Sequence, residues 1–380
     1  MNKVLVYGAL ALFVPLVNMI RALLRPSVIP RRPISIPVSV RKVHVVVLVH
    51  GWMGDSSEMS YMQESLERQV ASQQTESSMF YVYSASANNG RTSDGIEAGG
   101  KRLAQEIDAI LGNAEGDRSI TLSIVGNSMG GLFARYALGE LDLGSNVHLK
   151  AFYTTATPHL GVGGHTYLPL PRAAEYAVAS SMQQSGRDLF RFTDTIERMT
   201  TDERFVEPLS RFERRVAFAN AYYTDFQVPV TTAAFLGETV SPHYPVHVPL
   251  RPPFFVQSFK TPQRALDKAT SSPLSSGDMA QRLDALGWTK IFCDMRSTLL
   301  SVPVPFSNER KLPEKESYTS AELLEFYGGI PERMHIPFGH TMLIANAKSE
   351  VYRRLNAGGK PAVDELVQQL VSDVLREYSE

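Results

Sequence analysis

The stretch "ITLSIVGNSMGGLFARYALG", Ile120 to Gly139, constrains the fold more than any other part of the chain. Ile120, Leu122, Ile124 and Val125 form an apolar run that reads as a short buried strand. Leu132, Phe133, Tyr136 and Ala137 follow at helical spacing. Between them, Gly126-Asn127-Ser128-Met129-Gly130 leaves the chain only a few residues to turn from strand to helix. So sharp a turn needs small neighbours and strains the residue at its centre. The serine oxygen then stands clear above the sheet, near the positive end of the next helix.

Other segments repeat the strand–helix rhythm. "VHVVVLVHG", from Val43, is apolar on both faces, as in a parallel sheet covered by helices on both sides. A helix pattern around Met59 to Val70 comes next, then the strand "MFYVYSAS", then a helix from Gly95 to Leu111. After the serine segment come the strands "LKAFYTTATP", "RRVAFANAYY" and "WTKIFCDM", and a terminal amphipathic helix, "PAVDELVQQLVSDVLREY". This alternation predicts a mostly parallel α/β sheet with helices on the crossovers. Two regions break the rhythm. Residues 161–214 read as charged, amphipathic helices, expected as an inserted cap over the site. Residues 240–273 are rich in Pro and His with little periodicity, and read as an irregular excursion.

The balance of 38 Lys and Arg against 39 Asp and Glu, without a basic aromatic stripe, gives no reason to expect a nucleic-acid partner. The single cysteine, Cys293, sits in the apolar run "IFCDM" and reads as a buried structural thiol. Val4 to Ile20 is almost wholly apolar, with Lys3 before it and Arg21, Arg25, Arg31 and Arg32 after it. Residues 1–24 are therefore expected to anchor the chain in a membrane, the arginines favouring a cytosolic position for the remainder of the protein. A cleaved signal peptide is the rival reading, although the segment has no A-x-A site behind it. Residues 25–41 read as a linker rich in Pro and Arg, and 42–380 as the folded domain.

Gly126 to Gly130 fits G-x-S-x-G, the turn that presents a nucleophilic serine in α/β-hydrolases. Such a serine needs a base, an acid to orient it and donors for an oxyanion, and in that fold the acid and then the histidine come later in chain order. Asp225, in the turn "TDFQVP" after a strand, fits the acid, with Asp294 as its rival. His340, in "HIPFGHTMLIAN", fits the base, with His335 nearby. The N–H groups of Met129, after the serine, and of Trp52, in "HGWMGD", are the expected oxyanion donors. His50 is expected to fix that loop by hydrogen bonding. The His and carboxylate spacing shows no H-E-x-x-H pattern, so no metal or other cofactor is expected.

Together "VVLVHGWMGDSSEM", "TSDGIEAGGKRLAQEI", "SIVGNSMGGLFARYALG", "TTATPHLGV", "AFANAYYTDFQVPVTTAAF" and "GHTMLIAN" resemble the putative serine esterases of yeast and plants, lipase-like α/β-hydrolases. The likeness covers about Val43 to Asn346 with the motifs in family order. It implies an α/β-hydrolase fold, Ser128, Asp225 and His340 as a catalytic triad, and an acyl-ester substrate, expected to be a lipid met at a membrane or lipid-droplet surface. Asn127 departs from the histidine usual in relatives, without touching the triad. The same triad would serve a protein thioesterase or an acyltransferase, and a non-catalytic membrane scaffold is the reading from outside enzymes.

Overall fold

A computed structural model describes residues 36–376, apart from 38, 115–117, 167–169, 238–242, 248–253, 266–272, 304–312, 314, 328–332 and 337. The expected anchor, 1–24, and most of the expected linker lie outside the described residues. The strands are β1 (Lys42–Val49), β2 (Ser78–Ser84), β3 (Ser119–Asn127), β4 (Val147–Thr155), β5 (Arg214–Asn220), β6 (His243–His247), β7 (Phe255–Lys260), β8 (Thr289–Cys293), β9 (Ser301–Pro303), β10 (Ser317–Thr319) and β11 (Arg333–His335). Nine of them form one sheet in the order β10-β6-β7-β8-β5-β4-β3-β1-β2, while β9 and β11 pair separately. From β2 across to β8 every pairing is parallel. This is an α/β-hydrolase fold.

The strand β1 shows why the sheet must be covered on both faces. Its side chains alternate, with Val43, Val45, Val47 and Val49 entering one core and Val46 and Leu48 the other. The first core is closed by the helices Ile96–Asn113 and Met129–Leu138, the second by Ser60–Val70 and Lys360–Leu375. Every residue of Met129–Leu138 is buried. A helix buried all round needs cover on its outer side as well. The inserted segment holds four helices, Arg172–Ser181, Gln183–Leu189, Thr195–Thr201 and Glu203–Ser210, and the last two supply that cover. Tyr136 meets Phe205 with ring centroids 4.8 Å apart, and Arg135 Nη2 donates to Met199 O at 3.0 Å.

Residues 240–273, read from sequence as irregular, contain the strands β6 and β7. These pair antiparallel and extend the sheet beyond β8. The signal was weak because both strands are short and Pro245 lies inside β6, where a missing N–H argues against a strand.

A buried ion pair joins Lys290 of β8 to Asp284. Lys290 Nζ lies 2.7 Å from Asp284 Oδ1, and Tyr244 OH donates to Asp284 Oδ2 at 2.6 Å. Burial pushes the Asp284 carboxyl up and the Lys290 ammonium down in pKa, while their mutual attraction opposes both shifts. Lys290→Met strands the carboxylate and is expected to cost about 3–5 kcal/mol, most of it recovered when Asp284→Leu is added. Thermal midpoints of the two variants check this, and equal midpoints would show that the pair is not coupled.

Candidate active site

Ser128 sits between the end of β3 and the helix Met129–Leu138 with φ 54° and ψ −129°. A non-glycine residue there is strained, and the surroundings must hold it. Its N–H donates to Thr155 O at 2.8 Å and its carbonyl accepts from Gly131 N–H at 3.1 Å. The flanking glycines are sterically required. A Cβ on Gly126 would fall 2.4 Å from Gly131 Cα, and one on Gly130 would fall 2.2 Å from Val49 O. At Gly51 a Cβ would lie 2.7 Å from Ser128 Cβ and 3.2 Å from its Oγ, so the loop after β1 packs directly on the serine. Asn127 Oδ1 accepts from Thr155 Oγ1 at 3.0 Å, which holds the side chain that departs from the family pattern against β4.

The same loop carries Trp52. His50 Nδ1 donates to Gly51 O, the carbonyl of the next residue, at 3.1 Å. Met53, at φ 58°, donates its N–H to Thr92 Oγ1 at 2.9 Å, and Trp52 Nε1 donates to Ser93 Oγ at 3.3 Å. The N–H groups of Trp52 and Met129 have no acceptor among the described residues. That is the condition in which such groups meet an incoming oxygen. The inserted helices approach this loop indirectly. Ser185 Oγ donates to Thr92 O at 2.6 Å, and Asp188 Oδ2 accepts from Ile96 N–H at 2.7 Å.

Asp225 comes after β5 through a turn in which Tyr222 and Tyr223 take φ 58° and 59°. Its Oδ1 accepts the N–H groups of Gln227 and Val228 at 2.8 and 2.9 Å. Its Oδ2 accepts Asn220 Nδ2 and His340 Nδ1, each at 2.9 Å. Asp225 and His340 are both buried, at 3% and 4% exposure, so little water competes for this contact. His340 is the second residue of a short helix, Gly339–Met342, whose first N–H, that of Gly339, donates to Thr224 O at 2.7 Å. A Cβ on Gly339 would fall 2.6 Å from that oxygen, so only glycine lets the two turns close on each other. Burial alone would lower the His340 pKa. The Asp225 charge and hydrogen bond, helped by the Glu58 charge, outweigh it and raise the pKa above its ordinary value.

The rivals fall elsewhere. Asp294 is the exit residue of β8 and not an internal strand residue, since β8 stops at Cys293. Both its oxygens bind the Arg296 guanidinium at 2.8–3.1 Å. His335 ends β11, which pairs with β9 outside the main sheet. Cys293 is fully buried, and burial pushes its thiol well up in pKa. Glu58 and Asn220 are polar residues at the site that the sequence patterns did not single out. Neither stands in a spacing that announces it.

Among known proteins, the chain is 30% identical over 209 residues to a "putative lipase" of Schizosaccharomyces pombe, covering 50% of this chain and 26% of that protein. It is 25% identical over 320 residues to "Putative lipase ROG1" of Saccharomyces cerevisiae, covering 80% of this chain and 43% of the relative. The chain thus spans less than half the length of either relative. Among solved structures, phospholipase PlaB from Legionella pneumophila aligns with a TM-score of 0.34 at 12% identity, over 47% of this chain and 38% of that one. The RedJ thioesterase from Streptomyces coelicolor aligns at 0.27 and 16%, over 56% and 78%. The profile of the family described as "Putative serine esterase (DUF676)" matches residues 39–236, from before β1 through the turn that holds Asp225, and the chain belongs to that family.

Proposed function

We propose that the protein is a lipase-like carboxylic-ester hydrolase that works through an acyl-enzyme on Ser128. One observation carries the reading: the buried 2.9 Å contact of His340 Nδ1 with Asp225, made at the same end of the sheet as the strained serine turn. With Nδ1 committed to the carboxylate, Nε2 is the nitrogen that removes the Ser128 proton as Oγ attacks the ester carbonyl. The carbonyl π electrons move onto oxygen, and the N–H groups of Trp52 and Met129 bind the resulting oxyanion. Collapse expels the alcohol, which takes its proton from His340. Water then repeats the sequence on the acyl-enzyme and releases the acid. Asp225 keeps the imidazole in the working tautomer and stabilises its charged form.

A lipid ester is the favoured substrate because both yeast relatives carry lipase names and the N-terminal segment is apolar. Incubation with a lipid extract, a thioester panel and alcohol acceptors tests this. Free acid released from ester lipid by the wild-type chain, and not by Ser128→Ala, supports the reading. Release from thioesters alone, or transfer to the alcohols, would assign the site to a different acyl donor or acceptor.

Residues 1–24 lie outside the described residues, and among those described no helix is long and apolar enough to cross a membrane. The Val4–Ile20 segment is proposed as the membrane attachment, with the arginines behind it facing an anionic cytosolic surface. Attachment raises the local concentration of a substrate that does not dissolve, and leaves the chemistry alone. Deleting residues 1–30 is expected to release the protein from membranes and lower activity on bilayer lipid, while hydrolysis of a soluble short-chain ester is kept. Equal loss on both substrates would make this segment part of the fold.

A further inference from the structure

We infer that Glu58 is a positioning residue, whose carboxylate clasps the loop bearing the oxyanion donor to the segment just after the base and so fixes the two halves of the site against each other. The inference rests on the roles proposed above for Ser128, Trp52 and His340. Glu58 is 6% exposed. Its Oε2 accepts Gly51 N–H at 3.4 Å, one residue from Trp52 and on the glycine that packs against Ser128. Its Oε1 accepts Asn346 Nδ2 at 2.7 Å, and its backbone carbonyl accepts Ala347 N–H at 3.4 Å. From Asn346 the chain of bonds continues to the base. Asn356 Nδ2 donates to Asn346 O at 3.3 Å, and Thr341 Oγ1, beside His340, donates to Asn356 Oδ1 at 2.8 Å.

Two details show that the site is built around this carboxylate. A Cβ on Gly54 would fall 2.0 Å from Glu58 Oε2, so the loop gives up a side chain to make room for it. Both partners of the carboxylate are donors, and Asn346 cannot turn its amide around freely because its Oδ1 accepts Lys348 N–H at 3.1 Å. A glutamine at position 58 would therefore set an NH₂ group against one donor. The charge also reaches beyond its hydrogen bonds. Asp225 and Glu58 are the carboxylates acting on His340, and Lys348 and Tyr352 are further groups under the Glu58 field, with Asp55 also acting on Lys348. Glu58 thus holds geometry and, less directly, adds to the basicity of His340.

Two variants of the full chain separate those effects. Asn346→Ala opens the clasp and keeps the charge, whereas Glu58→Gln opens it and removes the charge. On a soluble p-nitrophenyl ester both are expected to lower kcat by roughly 10- to 10²-fold with little change in KM, because misplacement weakens the transition state and not substrate binding. In Glu58→Gln the acid limb of kcat/KM also moves to lower pH, since an anion that favoured protonated His340 is gone. In Asn346→Ala it stays in place. A kcat loss in Glu58→Gln that comes with a lowered melting temperature and an unmoved acid limb would reduce Glu58 to a structural staple. Unchanged kcat in Asn346→Ala overturns the clasp even if Glu58→Gln fails to fold. Fluorophosphonate labelling of the wild type distinguishes the two levels. An unlabelled wild type defeats the serine-hydrolase reading itself, whereas a labelled wild type with unaffected variants defeats only the role of Glu58.

Discussion

Ser128→Ala is expected to lower ester hydrolysis by roughly 10⁶-fold and to abolish fluorophosphonate labelling, because the attacking oxygen is gone while the base and acid remain. The alanine keeps a Cβ at φ 54°, so the turn stays as strained as before. Ser128→Gly makes a different prediction from the same geometry. It is equally inactive, yet it removes the Cβ from a backbone position that costs of order 1–3 kcal/mol for a non-glycine residue. Part of that gain is offset by about 0.5–1 kcal/mol of extra chain entropy lost on folding. The glycine variant should therefore melt higher than the wild type, and the alanine variant close to it. Persistent labelling of Ser128→Ala would remove the serine from the mechanism. A glycine variant that melts lower would mean that the turn stores no strain for catalysis to use.

The parallel part of the sheet was readable because its strands are apolar on both faces. Val43 to Val49 has no polar residue on either side except His44, whose ring stacks on Phe80 with centroids 4.5 Å apart. The antiparallel extension was not readable, since β6 holds Pro245 and lies next to residues without periodicity. At the site, Ser128 announced itself because a strand, a glycine-flanked turn and a helix occur in one continuous stretch. Asp225 and His340 stood out through their turns and chain order, although 115 residues separate them. Asp294 was misplaced within its strand because the apolar run "IFC" leads directly into it. In the fold its N–H donates to Phe254 O and its Oδ1 accepts Arg296 N–H at 2.9 Å, a local turn that ends the strand. Glu58 had no such announcement. Its side-chain partner Asn346 lies 288 residues away, and a contact of that span is a property of the folded sheet, not of any local pattern.

Asp225→Asn is expected to lower turnover by about 10⁴-fold with folding preserved. The cause lies in how its hydrogen bonds are shared out. Asp225 accepts four of them, two backbone N–H groups on Oδ1 and the Asn220 and His340 side chains on Oδ2. Asparagine has only one acceptor, and the pair of backbone donors from Gln227 and Val228 claims it. The new NH₂ then faces His340 and donates to Nδ1, which drives the imidazole proton onto Nε2. In that tautomer Nε2 cannot take a proton from Ser128. The pH profile carries a second signature. On the proposed mechanism the base works when neutral, so kcat/KM is expected to rise as pH increases through the raised pKa of His340. Without the Asp225 charge and hydrogen bond, the lowering effect of burial gains ground, and the residual activity should begin at lower pH than in the wild type. Asp294→Asn serves as the control. Its carboxylate binds Arg296, so the variant should keep turnover near wild type and the acid limb where it was. A large loss in Asp294→Asn beside an active Asp225→Asn would move the acid of the mechanism from β5 to β8.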